Sequence, residues 1–163
     1  MMITRGYFDI ETTGLSRNYC ELTVVGIGLE QGRKREFCQL VGEQVSAWRL
    51  VRLTRKADVL YTYNGARFDL PFIKAKLGVD LKDYTVHKDL MYECWRRNLY
   101  GGLKKVESAL GITRKTQGIN GWMAVKLWYD YLNHGNMNSL ALLLDYNKED
   151  VWNLRVLRKK LHV

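Results

Sequence analysis

The stretch FDIETTGL at residues 8–15 sets two carboxylates at the end of an apolar run. Tyr7, Phe8 and Ile10 are apolar and Gly14 marks a turn, which predicts a strand that ends in a loop. Side chains two apart on a strand share a face, so Asp9 and Glu11 stand side by side. Like charges in that position repel unless a cation lies between them. A hard, oxygen-seeking divalent metal such as Mg²⁺ or Mn²⁺ suits such a pair. A strand that simply runs out into a polar loop explains Asp-x-Glu equally well, so the other acidic positions decide.

The size and charge of the chain narrow the setting. Its 163 residues, 47% of them hydrophobic, suffice for a single domain over 1–163 with its own core. Lys and Arg outnumber Asp and Glu by 26 to 17, a net charge of +9. A basic chain built around an acidic cluster points to a polyanion held near metals, nucleic acid first of all. Cys20, Cys38 and Cys94 are too widely spaced for a zinc motif and read as free thiols of a reducing cytoplasm. Long apolar runs are absent, so no membrane span is expected. The start, MMITRGYFDIE, lacks the apolar region of a signal peptide.

In chain order, strands are expected at 3–11, 21–29 and 33–41, with Gln31-Gly32 as a hairpin turn. A helix at 43–56 and a buried strand at 57–63 follow. Asn64-Gly65 reads as a turn, with a helix from Leu70 or Pro71 to Gly78. A fifth strand at 84–88 and short helices at 89–98 and 102–110 come next. An aromatic-rich helix at 121–133 and a long helix at 137–161, capped by Asn136 or Asn138, close the chain. Three meandering strands, then β-α-β, then helices describe an α/β or α+β sheet flanked by helices.

Two further acids stand out. Asp69 is placed to cap the helix behind it, a role that leaves one oxygen for other work. Asp150 falls among Leu143, Tyr146, Leu154 and Leu157 on one face of the last helix. A carboxylate in such a stripe needs a basic partner or a metal. Tyr146 lies one turn earlier, within reach of the same pocket. Together Asp9, Glu11, Asp69 and Asp150 suit two ions about 3.5–4 Å apart, which clamp the attacking and leaving oxygens of a phosphodiester. A tyrosine of ordinary pKa, near 10, orients water better than it deprotonates it.

These segments resemble the three motifs of the DEDD superfamily of 3′–5′ exonucleases, which have the ribonuclease H-like fold. FDIETTGL is similar to the first motif through Asp9 and Glu11, and YNGARFDLPF to the second through Asn64, Phe68 and Asp69. YNKED is similar to the third through Tyr146 and Asp150, and a Tyr four residues before the Asp marks the tyrosine subclass, DEDDy. GGLKKVESALGITR and the order of elements resemble prokaryotic exonucleases of this fold over essentially the whole chain. The resemblance implies a five-stranded mixed sheet, three antiparallel strands beside two parallel to the first. It implies that Asp9, Glu11, Asp69 and Asp150 hold two Mg²⁺ or Mn²⁺ ions while Tyr146 positions the water. It also implies that Thr12 and Leu15 meet the terminal nucleotide, with Leu15 as a wedge, and that Asn64 and Phe68 line the strand's path. No polymerase or helicase region is expected within these 163 residues.

The expectation is therefore a metal-dependent 3′–5′ exonuclease acting on single-stranded DNA or RNA ends. The alternatives are a binding module of the same fold that lacks the reaction and a structure-specific endonuclease. Arg96-Arg97, Lys104-Lys105 and Arg114-Lys115 offer phosphate contacts. Tyr100, Trp95 and Trp122 offer stacking surfaces, although Trp at helical spacing is more often core.

Overall fold

The computed structural model describes residues 2–163. Strands β1 (Arg5–Thr12), β2 (Leu22–Gln31) and β3 (Lys34–Val41) form an antiparallel meander. Strands β4 (Val59–Thr62) and β5 (Val86–Asp89) run parallel to β1 on its other side. The sheet order is β3-β2-β1-β4-β5, the mixed five-stranded arrangement expected. The helices are α1 (Ala47–Thr54), α2 (Asp69–Leu77), α3 (Leu90–Trp95), α4 (Leu103–Ala109), α5 (Gly121–His134) and α6 (Met137–Lys160).

Alternation along β1 divides the core. Phe8 and Ile10 point to one face, where they pack with Leu50 of α1 and with Leu70, Phe72 and Ile73 of α2. Tyr7 points to the other, against Val151, Leu154 and Leu157 of α6. On that second face Val24 meets Leu143 and Tyr146 of α6, together with Ala124 and Trp128 of α5. Asp9 and Glu11 share the side of Tyr7, so their neighbours come from the C-terminal helices.

Several boundaries differ from expectation for local reasons. The hairpin turn is Gly32-Arg33, one residue on, with Gly32 at φ +58°. The helix expected at 43–56 breaks into a 3₁₀ turn at Gly42–Gln44 and α1, because Val45 and Ser46 are extended. The helix expected at 89–98 is shorter. Asp89 caps α3 through the Met91 amide (3.0 Å), and Asn98 leaves the helical region at φ +57°. Asn136 caps α6 as expected, accepting from the amides of Asn138 and Ser139.

At the far end of β2, Glu30 is buried and fastens α6 to the sheet. It accepts from Arg155 Nε (2.6 Å) and Tyr7 Oη (2.9 Å), and Arg158 Nε in turn donates to Tyr7 Oη (2.9 Å). Despite burial, these donors and cations hold the Glu30 carboxyl below its usual range. A lowered folded pKa adds stability that is complete above the ordinary carboxylate range and disappears as pH falls through the folded value. Glu30→Gln is expected to lower stability by about 1.5 kcal/mol at neutral pH, the scale of a hydrogen bond to a charged group. The difference from wild type should shrink in urea titrations repeated at acid pH; a constant difference would remove the charge from the account.

Candidate active site

β1 outruns its parallel neighbour. Its pairing with β4 ends at Tyr7↔Tyr61, so the amides beyond lack a ladder partner on that side. Asp69 supplies one: its Oδ1 accepts the Ile10 N–H at 3.2 Å. The expectation that Asp69 caps its own helix is therefore corrected. Phe68 is the N-cap residue, Asp69 is the first residue of α2, and no side-chain cap bond forms. An orphan amide at a strand end is the stronger demand on that oxygen.

Helix α6 brings the other groups. It lies so close to β2 that a Cβ on Gly26 would stand 2.3 Å from Asn147 Oδ1, and one on Gly28 3.1 Å from Trp152 and Val151. This approach seats the Asn147 amide, which is fully buried. Its Nδ2 donates to Asp9 Oδ2 (2.9 Å) and to the Asp9 carbonyl (3.3 Å), while its Oδ1 accepts from Gln39 Nε2 (2.9 Å). Tyr146 and Asp150 then face β1 one helical turn apart. Oxygens of Asp9, Glu11 and Asp150 all lie within 4.8 Å of one another. Asp69 stands beside this trio rather than within it.

The charges explain what the cluster lacks. Burial raises Asp9 well above the usual carboxylate range, and the charges of Glu11, Asp150 and Asp69 raise it further. Glu11 is raised for the same reasons. Burial lifts Asp69 to about 7, against the pull of its backbone hydrogen bonds. Burial lifts Asp150 to about 6, although Arg114 opposes the shift. Three carboxylates this close, with too few counter-charges, form a donor set that fits hard divalent cations.

Arg114 is the nearest fixed cation. Its guanidinium pairs with Asp150 and, at 2.7 Å, with Glu107, and it is nearly buried. It is thus not a solvated charge. Glu107 Oε1 also accepts from Asn153 Nδ2 (3.0 Å). The same loop is tied to α6 where Glu149 accepts from the Thr116 amide (2.9 Å) and from Lys115 N.

The cluster opens into a cleft of about 470 Å³. All nine residues expected from the sequence line it: Asp9, Glu11, Asp69, Tyr146 and Asp150, with Thr12, Leu15, Asn64 and Phe68. Leu15 is 86% exposed at the mouth. Thr12 Oγ1 is engaged with the Gly14 carbonyl (2.6 Å) and shapes the loop that carries Leu15. Asn64 sits at φ +60°, its amide held by Asp89 Oδ1 (2.8 Å), and Asp89 Oδ2 accepts from Ala66 N (2.9 Å). Asp89 therefore fastens the β4–α2 turn as well as capping α3. Tyr146 packs beneath Lys104, whose Nζ is 4.5 Å from the ring centroid. Burial, then the charges of Asp150, Glu11 and Asp9, raise the phenol so far that it stays protonated.

The sequence left Trp122 between a stacking surface and a core residue. Trp122 belongs to the cleft wall and not to the core: it is 65% exposed, with Lys126 Nζ 3.5 Å from its ring centroid. Asn147 was missed altogether. The signal for it was Gly26-x-Gly28 in β2, since glycines on one face of a strand mark the close approach of another element.

A family model of the RNase_H superfamily matches residues 6–162. No curated protein sequence matches the chain. Among solved structures, the family B DNA polymerase of Pyrobaculum calidifontis superposes with a TM-score of 0.73 at 18% identity, covering 98% of this chain and 24% of the polymerase. The chain thus spans about a quarter of that protein. Brucella melitensis NrnC with bound Mg²⁺ gives 0.54 at 19% identity, and NrnC bound to pGG gives 0.53 at 20%, each over 98% of this chain and 84% of NrnC. The E. coli ExoI–ssDNA complex in its zinc-bound form gives 0.52 at 17%, covering 86% of this chain and 45% of ExoI. With the sheet order, the helices on both faces and the acidic cleft beside β1, the match along nearly the whole chain shows that it has the ribonuclease H-like fold and belongs to the RNase_H superfamily.

Proposed function

We propose that the chain is a metal-dependent 3′–5′ exonuclease of the DEDD superfamily, tyrosine subclass, acting on single-stranded nucleic acid in the cytoplasm. The observation that carries this reading is the convergence of Asp9, Glu11 and Asp150 oxygens within 4.8 Å at the floor of an open cleft in a chain of net charge +9. The Mg²⁺ of NrnC and the ssDNA of ExoI, proteins of the same fold, support it. Asp9, Glu11, Asp69 and Asp150 would hold two divalent cations, Mg²⁺ or Mn²⁺. Such ions neutralise charge on a phosphodiester and acidify an attacking water.

The protein's own groups have separate tasks. Asn147 donates to Asp9 Oδ2 and so holds that carboxylate in place at the cleft. Asp69 keeps one oxygen beyond its bond to Ile10. Tyr146 holds its proton and so orients water by hydrogen bonding rather than by abstracting a proton. Leu15 stands where a terminal base would enter, and Phe68 and Trp122 offer apolar surface on the walls. Arg114 balances Asp150 and ties the loop after α4 to the site.

The test is digestion of 5′-labelled DNA and RNA oligonucleotides with Mg²⁺, Mn²⁺ or EDTA. A ladder shortening from the 3′ end, absent in EDTA and with Asp150→Ala, is expected. The Arg114–Asp150 ion pair favours a second reading, a binding module in which arginine takes the place of a cation. Tight binding with no cleavage under any metal would select it, and cleavage of circular substrates would select an endonuclease.

The raised carboxylates also make cation binding pH-dependent. Because these pKa values are raised in the folded state, the metal-free protein is favoured at low pH and loses stability as pH rises through about 6 to 7, where Asp150 and Asp69 give up protons. Cations compete with those protons. The thermal midpoint in EDTA should fall between about pH 5 and pH 8, and Mn²⁺ should raise it more at the higher pH. Equal stabilisation at both would place the ion elsewhere.

A further inference from the structure

Leu15 and Phe68 are walls of two cavities. One side faces the carboxylates. The other bounds a second cavity of about 340 Å³, lined also by Arg17, Asn18 and Arg67. Both arginines are exposed, and among the described residues no carboxylate lies within 4 Å of either guanidinium. Two other basic groups beside the carboxylates and Tyr146 are already engaged: Arg114 with Glu107 and Asp150, and Lys104 with the Ile119 carbonyl.

The two arginines are carried on braced turns. Arg17 lies in the turn closed by the Cys20 amide donating to the Ser16 carbonyl (2.7 Å), and Thr13 N donates to Glu21 O (2.9 Å) at its base. Arg67 lies in the turn where Arg67 N and Phe68 N donate to the Asn64 carbonyl (3.2 and 3.0 Å). Asp89 fixes that second turn through Asn64 N and Ala66 N. A guanidinium presented from a fixed backbone binds a phosphate's oxygens with less loss of freedom than one on a mobile loop. The cluster of carboxylates repels a polyanion, so attraction must come from the rim of the cleft.

We propose that Arg17 and Arg67 form a phosphate subsite for the strand upstream of the scissile bond, on the far side of Leu15 and Phe68 from the carboxylates. The proposal rests on the nuclease reading of the cleft. It assigns the second cavity to internal phosphodiesters of a single strand of either sugar, bound by charge without base readout. A substrate with one phosphate reaches only the carboxylate side, and longer strands reach both.

Binding of 5′-fluorescein-labelled (dT)₅ and (U)₅, followed by anisotropy in EDTA across a series of salt concentrations, tests it. Each phosphate contact on a single strand contributes about 0.7 to the log–log salt slope, or about eightfold in affinity at 50 mM salt. Arg17→Ala and Arg67→Ala are each expected to show that loss and that shallower slope, and the double variant both together. Hydrolysis of thymidine 5′-p-nitrophenyl phosphate should keep its kcat and KM in these variants, while KM for the pentamers rises. Unchanged affinity and slope in the double variant, or no binding of either pentamer by wild type, would overturn the subsite. So would equal loss on the one-phosphate substrate, since that marks damage to the carboxylate side. A wild type that binds with arginine-dependent slope but cleaves nothing in Mg²⁺ or Mn²⁺ would refute the nuclease reading and uphold the subsite.

Discussion

Asp9→Asn is expected to reduce nucleotide release by about 10³-fold or more while making the metal-free protein more stable at alkaline pH. The rate effect follows from the several kcal/mol that cations contribute at a phosphodiester, at about 1.4 kcal/mol per factor of ten. The stability effect follows from the like charges: Asp9 is pressed by Glu11, Asp150 and Asp69. An amide at this position removes that repulsion and still offers an oxygen to Asn147 Nδ2, which now donates to Asp9 Oδ2 at 2.9 Å. Each kcal/mol gained should raise the thermal midpoint by about 2–4 °C in a chain of this length. The gain should vanish, or reverse, once Mn²⁺ is added to wild type. An Asp9→Asn protein that turns over substrate normally would remove Asp9 from the reaction. One that melts lower than wild type in EDTA at pH 8 would refute the electrostatic account of the cluster.

Gly26→Ala should damage both stability and activity although Gly26 lies outside the cleft. The added methyl would overlap Asn147 Oδ1 at 2.3 Å and press Val151 Cγ2 at 3.0 Å. Helix α6 must lift, or Asn147 must leave its pocket. Overpacking of this kind costs about 1–3 kcal/mol, so the midpoint should drop by several degrees. Lifting α6 also moves Tyr146 and Asp150 away from Asp9 and Glu11, and a displacement of about 1 Å can lower a rate by about 10²-fold. Gly28→Ala is the comparison. Its contacts, 3.1 Å to Trp152 and Val151, are looser and farther from the carboxylates, so it should lose less stability and little activity. Equal losses in the two variants, measured by melting and by single-turnover hydrolysis, would rule out Asn147 as the link.

What could be read along the chain was whatever repeats within a few residues. Asp9 and Glu11 share a face because a strand has period two, and Tyr146 and Asp150 share one because a helix returns nearly to register in four. The caps at Asn136 and Gly78 and the meander of β1 to β3 are local in the same sense. The sequence by itself therefore determined the strand, the last helix and the candidate carboxylates on them. The tertiary structure alone decided which partners those carboxylates meet. Asn147 reaches Asp9 across 138 positions, Arg114 reaches Asp150 across 36, and Asp69 turns to Ile10 across 59 instead of capping its own helix. Trp122 has a helix position like that of a core residue, yet the docking of α5 leaves it at the cleft. These contacts depend on how closely whole elements pack, which here is set by two glycines beneath α6 and by a strand that outruns its neighbour. No local periodicity encodes a distance between elements, because burial and hydrogen-bond satisfaction are settled only when the elements meet.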